Sequence, residues 1–212
     1  MIRPALQYQF IILLLITILS TGCKTLLPGT DRLPLLGQVD PLPPGPICRV
    51  AVLPFSNESD FYMGDAIVSK VFTAHFQEWG QFQLIQEGDI LKIYQQLRIF
   101  PGRFPSDDDL LIIADRLKVQ LLISGRILEM EETRDFIGLL NPMIFMEIKI
   151  LDGRSGDTLW KTFHRRQGID YHTVMHFGAI QTFTGLSKQM AVEITNLWSN
   201  KGLFQCDILP QS

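Results

Sequence analysis

The spacing of apolar residues changes repeatedly along the chain, and each change marks a predicted element. "RVAVLPF" (Arg49–Phe55) is a short continuous apolar run, the pattern of a buried strand. The polar stretch "SNESDFYMG" follows as a loop. Across Asp65–Gly80 the apolar residues Ile67, Val68, Val71, Phe72 and Phe76 recur at helical spacing, and Gly80 supplies a stop. "QFQLIQ" (Gln81–Gln86) alternates as a strand does, and Asp89–Leu97 reads as a short helix. A loop punctuated by Pro101, Gly102 and Pro105 leads into "SDDDLLIIADRLKV". Ser106 is the expected N-cap of that helix, with Asp109 three residues on and acidic groups filling the first turn. Val119–Asp135 predicts a long strand. Met143–Asp152 predicts a second, in which Ile148 and Ile150 oppose Glu147 and Lys149. "GRSG" (Gly153–Gly156) turns the chain into a returning strand, Asp157–Gln167. A closing amphipathic helix is expected over Gly178–Trp198, with Leu186, Met190, Ile194 and Leu197 on one face. The order βαβααβββα predicts an α+β fold, a mixed β-sheet packed with helices.

Ahead of Arg49 the pattern is different. Arg3 is the one charge in residues 1–22, and the apolar run "FIILLLITIL" (Phe10–Leu19) ends in the small residues Ser20, Thr21 and Gly22. This is the layout of a secretory signal peptide, and the run is too short for a membrane-spanning helix. "ILSTGC" (Ile18–Cys23) resembles the lipobox of bacterial lipoproteins. The resemblance implies cleavage before Cys23, a diacylglycerol on its thiol and a palmitate-like acyl chain on the new amino terminus. Two acyl chains already hold a protein durably on a membrane. Lys24, in place of the aspartate that retains such proteins at the inner membrane, implies the outer membrane. The domain would then face the periplasm.

Residues 24–47 hold Pro28, Pro34, Pro41, Pro43, Pro44 and Pro46, half of the 12 prolines in the chain. Proline fixes φ and removes an amide donor, so this tract is expected to be an extended tether, spanning roughly 70 Å. Its leucines, Leu26, Leu27, Leu33, Leu35 and Leu36, are unusual for a spacer and suit docking on the domain or on lipid. The expected organisation is a signal peptide over 1–22, a lipidated Cys23 with a Pro-rich linker over 23–47, and an α+β domain over 48–212.

The net charge of −3 lacks the basic footprint of a nucleic-acid binder. It also argues against electrostatic attachment to acidic lipids. With 46% hydrophobic residues the chain can bury a core. Of its three cysteines, Cys48 and Cys206 remain if Cys23 carries lipid. An oxidising compartment favours a bridge between them, and a pair of buried free thiols is the alternative.

Four blocks in order resemble a known family. They are "VAVLPFSN" (Val50–Asn57), "MGDAIVSKVFTAHFQEWGQFQLIQ" (Met63–Gln86), "ADRLKVQLLISGRI" (Ala114–Ile127) and "EIKILDGRSGDTLW" (Glu147–Trp160). Together they are similar to the TolB amino-terminal-like domain and the related CsgG-type envelope lipoproteins, over roughly residues 49–198. The resemblance implies a non-enzymatic envelope protein. Members of that family include the curli-secretion channel, activators of peptidoglycan synthases and flagellum-associated lipoproteins.

The chemistry-bearing residues point the same way. His164, His172 and His176 are the suggestive metal cluster, but no glutamate or cysteine completes a ligand pattern. The triple aspartate at 107–109 reads as helix capping. No nucleophile elbow and no phosphate-cradling glycine loop occurs, so neither catalysis nor a cofactor is expected. Asp135–Ile150 is too short to add two pore-forming hairpins. Its apolar tip, with Phe136, Leu139, Leu140 and Phe145, suits a partner-binding edge, a membrane-touching loop or ordinary core. Those four residues, with Arg165 and Arg166 at the basic strand edge, are the expected partner contacts. The partners in view are envelope proteins such as a cell-wall synthase, a flagellar or a secretion component, or further copies of the chain. The expected role is a scaffold or regulator for an envelope assembly machine. The alternative is an oligomeric component of a curli-type export complex.

Overall fold

The computed structural model describes residues 34–100, 102–134, 138–173, 177–203 and 206. The signal stretch, Cys23, Phe136 and His176 lie outside them. None of the helices among the described residues is long and apolar enough to cross a membrane.

Among the described residues, seven strands form one mixed sheet, and four α-helices pack on it. In chain order they are β1 (Leu35–Gln38), β2 (Arg49–Val52), β3 (Ser56–Asn57), α1 (Gly64–Trp79), β4 (Gln83–Leu84), α2 (Glu87–Leu97), α3 (Asp107–Leu117), β5 (Leu121–Arg134), β6 (Leu140–Asp152), β7 (Thr158–Gln167) and α4 (Phe183–Asn200). A short 3-10 turn, Gly168–Tyr171, joins β7 to the segment before α4. The strand order is β1-β7-β6-β5-β2-β4, with β3 pairing β5 off that path. β2 runs parallel to both β4 and β5, whereas β5, β6, β7 and β1 form an antiparallel meander.

The predicted elements are present in the predicted order, with two added strands: Ser56–Asn57, expected to begin a polar loop, pairs parallel with Arg126–Ile127 of β5, and a further one lies ahead of β2. Leu35–Gln38, expected to be tether, pairs antiparallel with Phe163–Trp160 of β7 and closes that edge of the sheet. Leu36 packs against the core and Leu35 faces outward, as the two-residue period of a strand requires. The folded unit therefore begins well before residue 48. The hydrophobic stripe of the last helix also shifts by one residue. After Leu186, Met190 and Ile194 the buried position is Trp198, four residues on, rather than Leu197. The Trp198 ring stacks on Phe76 of α1 at 5.8 Å, and its Nε1 donates to Thr162 Oγ1 at 2.8 Å.

Local signals place the helices. Ser106 and Asp109 form a capping box on α3, satisfying two orphan backbone donors. Gly80, at φ 68°, ends α1 in the left-handed conformation that glycine adopts at least cost. Two cores result. The larger lies between the sheet and α1 with α4, and includes Phe72, Phe76, Ile148, Met190 and Trp198. The smaller lies on the opposite face under α2 and α3, and includes Leu53, Ile90, Ile113 and Leu151.

Gly125 of β5 lets the Phe55 ring pack directly on the strand in the larger core. A Cβ there would lie 2.3 Å from ring atoms of Phe55, which is fully buried. Gly125→Ala is expected to cost about 1–3 kcal/mol through overpacking. Calorimetry should show a loss of about 3–10 °C, and Phe55→Leu in the same chain should return part of it.

Candidate functional site

Alternation along β6 and β7 sends neighbouring residues to opposite faces. Ile144, Met146, Ile148 and Ile150 of β6 lie beside Arg166, His164, Thr162 and Trp160 of β7, facing α1 and α4. The other face carries Phe145, Glu147, Lys149 and Leu151, beside Arg165, Phe163 and Lys161. Helices α2 and α3 cover only the Leu151 end of that face. Beyond it, Phe145 and Phe163 belong to neither core and pack on each other, with ring centroids 6.5 Å apart. Phe163 is 37% exposed, and Leu35, its register partner on β1, is 71% exposed.

Charges frame this aromatic pair. Arg165 and Glu129 flank Phe145 from the two adjacent strands and meet at 3.2 Å. Both are about half exposed, so their pairing adds little stability. Glu147 is 4% exposed, accepts from Arg126 Nη2 at 2.7 Å and lies 3.7 Å from Lys149 Nζ. Lys149 Nζ also stands 5.3 Å from the centre of the Phe104 ring, which reaches the face from the loop before α3.

The expected contact residues divide accordingly. Phe145 and Arg165 are register partners on the open face. Leu139 and Leu140 are half-buried at the start of β6. Arg166 is not an edge cation: one residue beyond Arg165, it points to the opposite face and is 7% exposed. There it takes part in a buried network centred on Glu193 of α4. Glu193 Oε2 accepts from His164 Nε2 at 2.6 Å and Arg166 Nε at 2.9 Å, and its Oε1 accepts from Tyr171 Oη at 2.9 Å. The guanidinium of Arg166 also lies 5.3 Å from the centre of the Tyr171 ring. Burial works against ionisation of Glu193, but the hydrogen bonds from His164 and Arg166 outweigh it, and its carboxyl sits at about 2. Burial lowers the His164 pKa, only partly offset by Glu193. A neutral imidazole that donates from Nε2 also suits its buried Nδ1, which has no partner and would be an orphan donor if protonated.

His164 thus belongs to a packing network, and His172 follows the 3-10 turn. Among the described residues no group of three or more metal-ligating side chains comes together. Glu193 and Tyr171 were missed from the sequence. The alternating Thr162, His164 and Arg166 on an inner strand face were the available signal, because buried polar residues require a partner. Cys48 and Cys206 form a disulfide, with Cα atoms 4.7 Å apart. It joins the start of β2 to the segment after α4.

No family profile matches the chain, and no curated protein matches it. Solved structures do. The PelC dodecamer from Paraburkholderia phytofirmans superposes with a TM-score of 0.51 at 12% identity, covering 78% of this chain and 97% of that one. Lipoprotein GNA1162 from Neisseria meningitidis superposes with a TM-score of 0.50 at 14% identity, covering 72% and 99%. The LpoB C-terminal domain from Salmonella enterica is a weaker match, with a TM-score of 0.45 at 12% identity over 59% and 87%. At such identities the likeness is one of fold, and the chain shares its mixed sheet packed with helices with PelC and with the lipoprotein GNA1162.

Proposed function

We propose that the chain is an outer-membrane lipoprotein, anchored through lipid on Cys23, whose domain is a non-catalytic binding module in the periplasm. It would scaffold or regulate an envelope assembly machine. The observation that carries this reading is the open sheet face, where the Phe145–Phe163 pair and Leu35 lie outside both cores. An aromatic centre rimmed by charges is the anatomy of a protein–protein contact. A lipid anchor raises the effective concentration of such a face near its target. A second reading, a subunit of a homo-oligomeric export assembly, is favoured by the fold shared with a dodecamer.

Photo-crosslinking in intact cells from a benzoylphenylalanine at position 163 tests the proposal. One dominant foreign envelope protein is the expected product. Phe145→Ser should reduce its yield at least about tenfold, as loss of an interface anchor does. A ladder of the chain's own multiples would favour the second reading. A product whose yield ignores Phe145→Ser would overturn the assigned face. In the same cells Cys23→Ala should leave the protein soluble or uncleaved; a mature, membrane-held Cys23→Ala chain would overturn the lipid anchor.

A further inference from the structure

The strand order puts a crossover on each side of β2. From β2 the chain passes through α1 on one face to β4, then returns through α2 and α3 on the other face to β5. Connections leaving in opposite directions open a crevice at the carboxyl end of the strand between them. A cavity of about 220 Å³ lies there. The segment just after β2 contributes Pro54 and Phe55, α1 contributes Ala66 and Ser69, and α2 contributes Ile90 and Leu91. Ser69 Oγ accepts the Phe55 N–H at 2.8 Å, and with Val52, Leu53, Pro54, Phe55, Ala66, Ile90 and Leu91 most of the lining residues are apolar.

Its surroundings extend that character. Met63 lies on the helical face of Ala66 and Lys70 and is 49% exposed. Phe100, on the loop after α2, is also exposed, and the nearby Gly102 abuts Asp65: a Cβ there would sit 3.1 Å from Asp65 Oδ2. Asp65, Lys70 and Glu87 line the cavity, so carboxylates outnumber ammonium groups two to one.

Size and charge select the occupant. Small-molecule and cofactor pockets usually measure about 300–1,000 Å³. This cavity is smaller and matches one aromatic or branched aliphatic side chain, the kind of anchor that dominates protein interfaces. We infer that the crevice receives a single Phe- or Leu-like side chain of a partner polypeptide, with an adjacent Lys or Arg directed at Asp65 and Glu87. The inference rests on the binding-module reading but uses different elements from the Phe145–Phe163 face.

The test titrates acetyl-Phe-Lys-amide into the methyl-labelled full chain in detergent micelles, followed by NMR. Saturable shifts are expected at the methyls of Ala66, Ile90 and Leu91. Acetyl-Phe-Glu-amide should bind about fivefold more weakly, the scale of one exposed ion pair. Acetyl-Ala-Lys-amide should give no shift at the same concentrations. Ala66→Leu fills the cavity and should remove the response while the remaining methyl spectrum is unchanged. Asp65→Asn with Glu87→Gln leaves Lys70 as the charged group of the lining and should remove the preference for the lysine peptide, or reverse it, without abolishing binding of either Phe peptide. Absent or scattered shifts, or a response that survives Ala66→Leu, would overturn the inference. Phe145→Ser should leave the titration intact, so failure here and failure of the sheet-face reading are separable.

Discussion

Replacing Cys48 and Cys206 together by alanine will lower the unfolding midpoint by about 10–20 °C. The bridge spans 158 residues of sequence, nearly the whole folded unit. Closing a loop of that length removes about 5 kcal/mol of chain entropy from the unfolded state, and a chain of this size loses about 2–4 °C per kcal/mol. The position makes the constraint consequential. β2 has four residues and its outer neighbour β4 has two, so ladder bonds alone hold the parallel side weakly. The Cys206 N–H donates to the Gln81 carbonyl at 3.2 Å, so the bridge also fastens the chain beyond α4 to the entry of β4. Calorimetry of oxidised, reduced and double-alanine proteins is the measurement. Oxidised and reduced midpoints within about 2 °C would show that the link contributes no net stability.

Glu193→Ala is expected to be nearly as damaging, at about 3–5 kcal/mol, because it strands the buried guanidinium of Arg166 without a counter-charge. Glu193→Gln keeps the shape and isolates the charge. The folded carboxyl sits at about 2, below its ordinary value of 4.5. Its stabilisation is therefore fully present above about pH 4.5 and is lost as the pH falls toward 2, a change of about 3 kcal/mol. His164 acts in the same direction at higher pH. Its folded pKa lies below 6.5, so acid charges the unfolded imidazole first and favours unfolding. Denaturant midpoints at pH 7 and pH 3 should differ much less for Glu193→Gln than for the parent chain. Equal pH dependence in the two would remove Glu193 from the centre of acid sensitivity.

Much of this was legible in the chain. The helical repeats through Phe72 and Phe76 and through Leu186, Met190 and Ile194 locate α1 and α4, and their buried faces follow from the period except at the end of α4, where Trp198 is buried in place of Leu197. Ser106 and Asp109 announce α3 by chemistry that operates within four residues. The contact residues were less legible. Arg165 and Arg166 are alike as sequence, yet one lies on the open face and the other is buried against Glu193. Alternation dictates that they part; which of them faces α4 depends on sheet register and on where the last helix packs. The edge strand Leu35–Gln38 was hidden for a similar reason. Prolines surround it, and its strand state comes from the unpaired edge of β7 rather than from its own residues.

By itself, then, the sequence determined the helices, the longer strands, their order and the α+β class, because periodicity, caps and turns act over a few residues; the short strands Leu35–Gln38 and Ser56–Asn57 took their state from the edges they pair with. The sequence also carries the signals on which the proposed lipidation of Cys23 rests. Tertiary structure alone decided what meets across long separations. It brought Cys48 to Cys206, set Glu193 under His164 and Arg166, and joined Leu35 to the Phe163 edge. It also left Phe145 and Phe163 outside both cores, since two short helices cover only one end of a sheet face. Local patterns state that a residue is buried or paired, and only the packing of distant elements selects its partner.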